Sequence, residues 1–200
     1  MYYCITGTAI LKENFVVVMA GGVGYRVYTS NTTMSKIENG KEVTLYTYLN
    51  VKEDLMQIFG FYTEEELNTF QMVIGVSGVG PKMGLAILSA LTPSEFAMSV
   101  IMQDAKAITR AHGVGKKLAE KIIVELKDKL KGVDIEDVAG SGAEVQHTLH
   151  HNDNISEAIN ALMVLGYSSI EARRVVNDVY SEADSLEDII KKALKKVGTM

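Results

Sequence analysis

One short phrase occurs twice in this chain. "GVGPKMGLAIL" begins at Gly78 and "GVGKKLAEKII" at Gly113, 35 residues on, so that Gly78, Gly80 and Lys82 match Gly113, Gly115 and Lys117. In each copy an apolar helical stretch runs into Gly-Val-Gly, and a new helix starts at once. Glycine permits the sharp turn with positive φ, and the valine between the glycines, Val79 or Val114, can plug into an interhelical core. The N–H groups of the turn and of the new helix's first residues then point outward with no intrahelical partner, and the helix dipole adds partial positive charge. Such a turn suits a phosphate, with the following lysine as a point charge. The second copy has further cations at Arg110, Lys116 and Lys121. A pair of phosphate clamps reads a backbone and not bases, which points to duplex DNA held without sequence preference.

Other phosphate chemistries fail on spacing. A P-loop needs Gly, four residues, then Gly-Lys-Ser/Thr. Counting back from Gly115 gives Arg110, and Lys117 stands where the hydroxyl residue belongs; Gly75 to Gly80 leads into Pro81. Gly84 falls one residue late for Gly-x-Gly-x-x-Gly, and no strand precedes it. An alternative from the enzyme class is a helix-hairpin-helix DNA glycosylase with Lys117 as nucleophile. Its downstream acids, Asp134 and Asp137, fall in an apparent linker; there is no cysteine set for an iron–sulfur cluster and no Trp for a base pocket. His147, His150 and His151 have no acid or cysteine at ligand spacing, so no metal site is expected there. No Ser-His-Asp set or paired carboxylates on a common rigid element emerge, and the expectation is a non-catalytic protein without cofactors.

Composition narrows the setting. The 200 residues are 47% hydrophobic, enough for a core, with one cysteine, Cys4, and therefore no intramolecular disulfide. The N-terminal "MYYCITGTAI" lacks a signal-peptide layout, and the longest apolar run, Phe15 to Val23, is far short of a membrane span. A cytoplasmic location is expected. The net charge of −5 argues against a generally basic nucleic-acid binder. Residues 1–64 carry 5 Lys/Arg and 6 Asp/Glu, residues 65–132 carry 9 and 7, and residues 133–200 carry 6 and 12. Only the third with the repeat is net positive, so an anion must be met there by placed groups and not by bulk charge.

The elements that would position these groups follow from periodicity. "YYCITGTAIL", "NFVVVMA", "GVGYRVYTS", "EVTLYTYLNV" and "LMQIFGFY" read as five short strands, an OB-like Greek-key barrel over residues 1–63, with "TTMSKIENG" a helical turn or loop in its middle. From Glu64 the period becomes helical, with Leu67, Phe70, Val73 and Ile74 on one stripe and Met83, Ile87, Leu88 and Leu91 on another. "TPSE" reads as a capping box with Pro93 at the first helical position. Short helices around Phe96–Gln103 and Ala105–Ala111 and a longer one from Lys116 to about Lys131 complete an all-α tandem hairpin unit over 64–132. Residues 133–153 read as a flexible linker. Beyond it Asn154, Ser168 and Ser185 are each followed three residues later by an acid, three helix starts in a mini-domain over 154–200. Lys191, Lys192, Lys195 and Lys196 lie off its apolar stripe as a solvated face. Taken alone, this unit resembles a ubiquitin-associated peptide binder, an adaptor reading that would leave the hairpins idle.

The order of parts is more specific than any one of them. A barrel with "GVGYRV", a "KEDLMQIFGF" hairpin, twin "GVGPK" and "GVGKK" motifs, a linker and a three-helix unit with "ALMVLGY" together resemble the RuvA family over essentially the whole chain. The resemblance implies a junction-binding subunit of a branch-migration complex. It implies a homotetramer, or two tetramers as an octamer on DNA, that holds a four-way Holliday junction open and flat with hairpins on the minor-groove backbones. It further implies a mobile third domain engaging a RuvB-type hexameric ATPase motor, a RuvC-type resolvase as partner, and no membrane. The DNA-binding positions carried over are Gly78, Gly80, Lys82, Gly113, Gly115, Lys116, Lys117 and Lys121. Glu53 and Asp54 become an acidic pin at the crossover, and Leu162, Leu165, Gly166 and Tyr167 become the motor-binding residues. The N-terminal strand "MYYCITGT" lacks the basic residue that the family would place there.

Overall fold

The computed structural model describes residues 2–131, 153–181 and 184–197. Of the expected linker 133–153, residues 133–152, with Asp134, Asp137, His147, His150 and His151, lie outside the described residues, and Asp153 is the first residue of a helix. Five strands, β1 (Cys4–Leu11), β2 (Val16–Ala20), β3 (Val23–Tyr28), β4 (Glu42–Lys52) and β5 (Leu55–Phe61), close a barrel in the order β1-β2-β3-β5-β4. All neighbours are antiparallel except β3 and β5, which run parallel because α1 (Asn31–Lys36) and β4 intervene between them. This is the OB-like barrel expected from the strand pattern. Alternate residues line its interior, Val16 and Val18 on β2, Val27 on β3 and Val43 and Leu45 on β4 among them. Ser30 caps α1 by accepting a hydrogen bond from the Thr33 N–H.

The chain divides into two compact units, Met1–Pro93 with Thr109–Val114, and Ser94–Ile108 with Gly115–Met200. In the first, α2 (Glu64–Ile74) and α3 (Pro81–Ala90) belong with the barrel. Phe59 and Phe61 of β5 pack on Phe70 of α2, with ring centroids 5.5 and 4.8 Å apart. One buried acid fixes the start of α2: the Glu66 carboxylate accepts from Lys36 Nζ at 2.8 Å and from the Tyr62 N–H at 3.1 Å, and also from the Thr33 hydroxyl. With Glu66 only 3% exposed, these partners offset the cost of taking its carboxyl group out of water.

The second unit holds α4 (Pro93–Ile101, from Ser94), α5 (Ala105–Ile108), α6 (Lys116–Lys131), α7 (Asp153–Val164), α8 (Ser169–Val179) and α9 (Leu186–Val197). Two helix boundaries differ from the sequence expectation. The helix expected around Phe96–Gln103 opens with Pro93 at its first position, as the sequence suggests, but ends early at Ile101, where Gln103 at φ 55° closes a Schellman stop: Asp104 N–H donates to Ser99 O and Gln103 N–H to Val100 O. Asp104 then caps α5 through the Ala107 N–H, and α5 stops at Ile108 instead of Ala111 because Thr109–Val114 form the next turn.

Of the three expected starts in the last third, Ser168 makes a full capping box with Glu171. Ser185 and Asp188 are linked by hydrogen bonds from the Ser185 hydroxyl to the carboxylate and from the Asp188 N–H to Ser185 Oγ. The hydroxyl's bond, foremost, holds the exposed Asp188 carboxyl below its ordinary range. Asn154 is not a cap: α7 starts at Asp153, which leaves Asn154 inside the first turn. The apolar faces of these helices form one cluster, with Ala158, Leu162, Val176, Ile189 and Ala193 fully buried and Val179, Leu186 and Val197 partly so. Ala97 of α4 belongs to the same cluster, with Met98 and Ile101 packed against it. No single helix among the described residues is long and apolar enough to cross a membrane.

Candidate nucleic-acid interface

The two Gly-Val-Gly turns have the same local geometry. Gly78 has φ +93° and Gly113 φ +85°, the left-handed region that glycine enters without strain. Val79 and Val114 are each 6% exposed, so both valines are plugs. Their N–H groups donate to the carbonyl three residues back, Val79 to Val76 at 3.0 Å and Val114 to Ala111 at 3.1 Å. The second glycine ends the turn in open space: a Cβ on Gly80 or Gly115 would meet nothing within 4 Å. Gly80 is the N-cap of α3 with no side-chain cap, and Pro81 follows where a missing N–H costs nothing. Side-chain burial keeps the same register beyond the turns, with Val73 and Ile108, Ile87 and Ile122, and Leu91 and Leu126 all buried. Gly84 and Ala119 also correspond. Gly84 must lack a side chain, since a Cβ there would lie 2.9 Å from Phe70 and from Ile74 of α2.

The second turn also meets α3. A Cβ built on Gly113 would lie 3.5 Å from Cε of Met83, in the first turn of α3. Within the first unit Gly113 therefore lies beside the first turn of α3, a fact that the repeat in the sequence could not state.

Charge completes the site. Lys82, Lys116, Lys117 and Lys121 are exposed. Lys116 faces Glu120 at 3.7 Å and Lys121 faces the half-buried Glu125 at 3.6 Å along α6, surface pairs of small worth. The two lysines at the repeated position, Lys82 and Lys117, have no ion-pair partner among the described residues. A free cation beside uncapped N–H groups at a helix start is a receptor for a phosphate oxygen.

The remaining expected residues lie elsewhere. Glu53 and Asp54 are the exposed two-residue turn between β4 and β5, with Lys52 paired to Leu55 across it. Leu162, Leu165 and Tyr167 are 0%, 1% and 6% exposed, so these side chains face the interior of the C-terminal unit. The segment ends α7: Tyr167 N–H donates to Leu162 O and Gly166 N–H to Met163 O, with Gly166 at φ +99°, a Schellman stop. The Tyr167 hydroxyl is 3.0 Å from that of Ser94 on α4. Among the described residues no group of three or more His, Cys, Asp or Glu could hold a metal ion.

Comparison with known families follows the same three-part order. Residues 1–60 match the RuvA N terminal domain, residues 70–128 the SAM-like helix-hairpin-helix tandem, and residues 153–198 the RuvA C-terminal domain. The Holliday junction branch migration complex subunit RuvA of Acetivibrio thermocellus is 49% identical over 199 residues, which is 98% of either chain. Those of Ruminiclostridium cellulolyticum and Alkaliphilus oremlandii are 40% and 42% identical over 98% of this chain, covering 100% and 98% of their own lengths. Identity at this level from end to end, with the paired turns inside the matched hairpin tandem, leaves one conclusion: the chain belongs to the RuvA family.

Proposed function

We propose that this chain is the non-catalytic DNA-binding subunit of a Holliday-junction branch-migration complex. The observation that carries the reading is the repeated turn, with matching φ, matching valine plugs and, among the described residues, a lysine without an ion-pair partner in each copy. Each turn takes one phosphate of a duplex arm, Gly80 and Gly115 leaving room for the backbone to approach and Lys82, Lys116, Lys117 and Lys121 supplying charge. Such contacts hold a duplex without reading its sequence. Selectivity for the four-way form then comes from geometry and from repulsion, with Glu53 and Asp54 set where strands exchange so that phosphates of a continuous helix are rejected.

The chain works as a homotetramer, four copies matching four arms, with an octamer formed by a second tetramer on the opposite face of the junction. The C-terminal unit recruits a RuvB-type ATPase, which supplies the hydrolysis, and Leu162, Leu165, Gly166 and Tyr167 serve that contact by setting the shape of the unit. A RuvC-type resolvase acts on the held junction, and the setting is the cytoplasm. The glycosylase alternative loses ground because Lys117 has the same local setting as Lys82, as expected of two clamps and not of one nucleophile. The test is reconstitution: the chain plus a RuvB-type motor and ATP should convert a synthetic four-way junction into two duplexes, with neither protein sufficient alone. No conversion under conditions where a family member's own pair is active would refute the assignment.

A further inference from the structure

The longest strand of the barrel outruns its partners. β4 has 11 residues, but β1 pairs with it only from Glu42 to Tyr46, and β3 meets β5 only at Ile58 and Phe59. From Asn50 onward β4 has β5 alone, with Asn50 opposite Gln57, Val51 opposite Met56 and Lys52 opposite Leu55. The tip is thus a two-stranded tongue that ends in Glu53 and Asp54. Side chains alternate along β4, so the face that carries Val43 and Leu45 into the barrel continues through Leu49 to Val51, with Met56 opposite. Inside the barrel those positions are closed, at 8% exposure for Val43 and 0% for Leu45. On the tongue Val51 is 65% exposed and Met56 72%. The apolar pattern persists after the barrel that would bury it has ended.

An isolated two-stranded ribbon is marginal in water, and apolar side chains left open at its end gain from being covered. Two properties of the tip select that partner. The adjacent carboxylates repel phosphates and acidic surfaces. The two side chains are also far too small a patch for a stable protein interface, which buries about 1,200 Å² or more. What remains is a flat, uncharged, apolar surface that arrives beside a phosphate backbone, namely the face of a nucleobase. Apolar side chains set against base steps are a general means of holding bases unstacked.

We propose that Val51 and Met56 form an apolar wedge behind the acidic turn and receive the faces of bases unstacked at the crossover. The proposal rests on the reading of Glu53 and Asp54 given above. The carboxylates keep backbones off, and the wedge supports the bases that this opens. The experiment uses the full chain and a four-way junction with 2-aminopurine replacing one adenine beside the crossover. Fluorescence reports unstacking, and anisotropy on the same sample reports Kd. The parent should raise fluorescence on binding. Val51→Thr with Met56→Gln should reduce that rise to under half while Kd moves less than threefold, and Met56→Gln alone should fall between. Val23→Thr, which alters an apolar residue 52% exposed at the start of β3, should behave as the parent.

An undiminished rise in the double variant overturns the wedge, as does an equal loss in the Val23 control. So does a change in the assembly's mass by sedimentation, which would mean that the patch covers a second copy. A parent that binds the junction without any rise sinks the wedge alone. A parent that does not bind the junction sinks the functional reading first and the wedge with it.

Discussion

At the scale of single residues, the two glycines of each turn have separable jobs. Gly78 and Gly113 hold positive φ, so alanine there strains the backbone by about 1–2 kcal/mol and should lower the unfolding midpoint. Gly80 and Gly115 have open space around them, so alanine there should leave stability nearly unchanged yet weaken DNA binding by standing where a phosphate must approach. Thermal melts and binding isotherms on Gly113→Ala and Gly115→Ala check this contrast, and equal loss of stability in both would contradict it. Lys82→Ala and Lys117→Ala should each cost roughly tenfold in affinity at about 0.1 M salt, whatever the arm sequence, and reduce the log–log salt slope by about 0.9. Glu53→Gln with Asp54→Asn should act in the opposite direction. It should preserve or tighten junction binding and raise duplex binding, so the ratio of duplex to junction dissociation constants at one salt concentration should fall. An unchanged ratio would make the pair an ordinary hairpin turn. The glycines and lysines were legible because the sequence states them twice in one register. Met83 beside Gly113 was not, since nothing local joins two turns 35 residues apart.

At the scale of elements, period and punctuation carried most of the reading. Five strands and the long helices lie where alternation and the helical repeat put them, because one face of each is buried and the other is not. The misses were boundaries set by backbone hydrogen bonds that composition does not show, as when Gln103 takes the left-handed stop usually given to glycine. The local role of "LGY" was likewise hidden: leucine, glycine and tyrosine there form the helix stop itself and its apolar contact. The overlong β4 was visible in the sequence, but its exposed tip depends on where β1 and β3 cease to pair. Helix packing gives a direct prediction at this scale. Gly84→Ala puts a methyl against Phe70 and Ile74 and should destabilise the protein by about 1–3 kcal/mol, read from a denaturant midpoint with unchanged slope. Ala119, the corresponding residue of the second hairpin, already carries that methyl in a fully buried position, so Ala119→Gly should leave a small void and cost about 1 kcal/mol by loss of helix propensity and packing.

At the scale of the whole molecule, the parts divide the labour by charge and by shape. In the proposed function the hairpin tandem attracts backbone, the acidic turn of the barrel repels it, and the three-helix unit carries the link to the motor. The sequence suggested a clean break before that last unit, while the structure packs Ala97, Met98 and Ile101 of α4 against its core. A chain ended at Val145 therefore exposes an apolar strip on α4. It should still bind junctions, fail to stimulate the motor, and be less soluble than the parent. Everything rests on one claim, that the molecule selects a four-way junction by placing phosphate clamps around a centre that rejects phosphate. The most direct measurement is a set of dissociation constants for a four-way junction, a duplex of the same sequence and its single strands, taken at several salt concentrations. The account predicts the junction bound at least tenfold more tightly than duplex, single strands weakest, and affinity falling steeply with salt. Equal affinity for junction and duplex, or binding indifferent to salt, would contradict it.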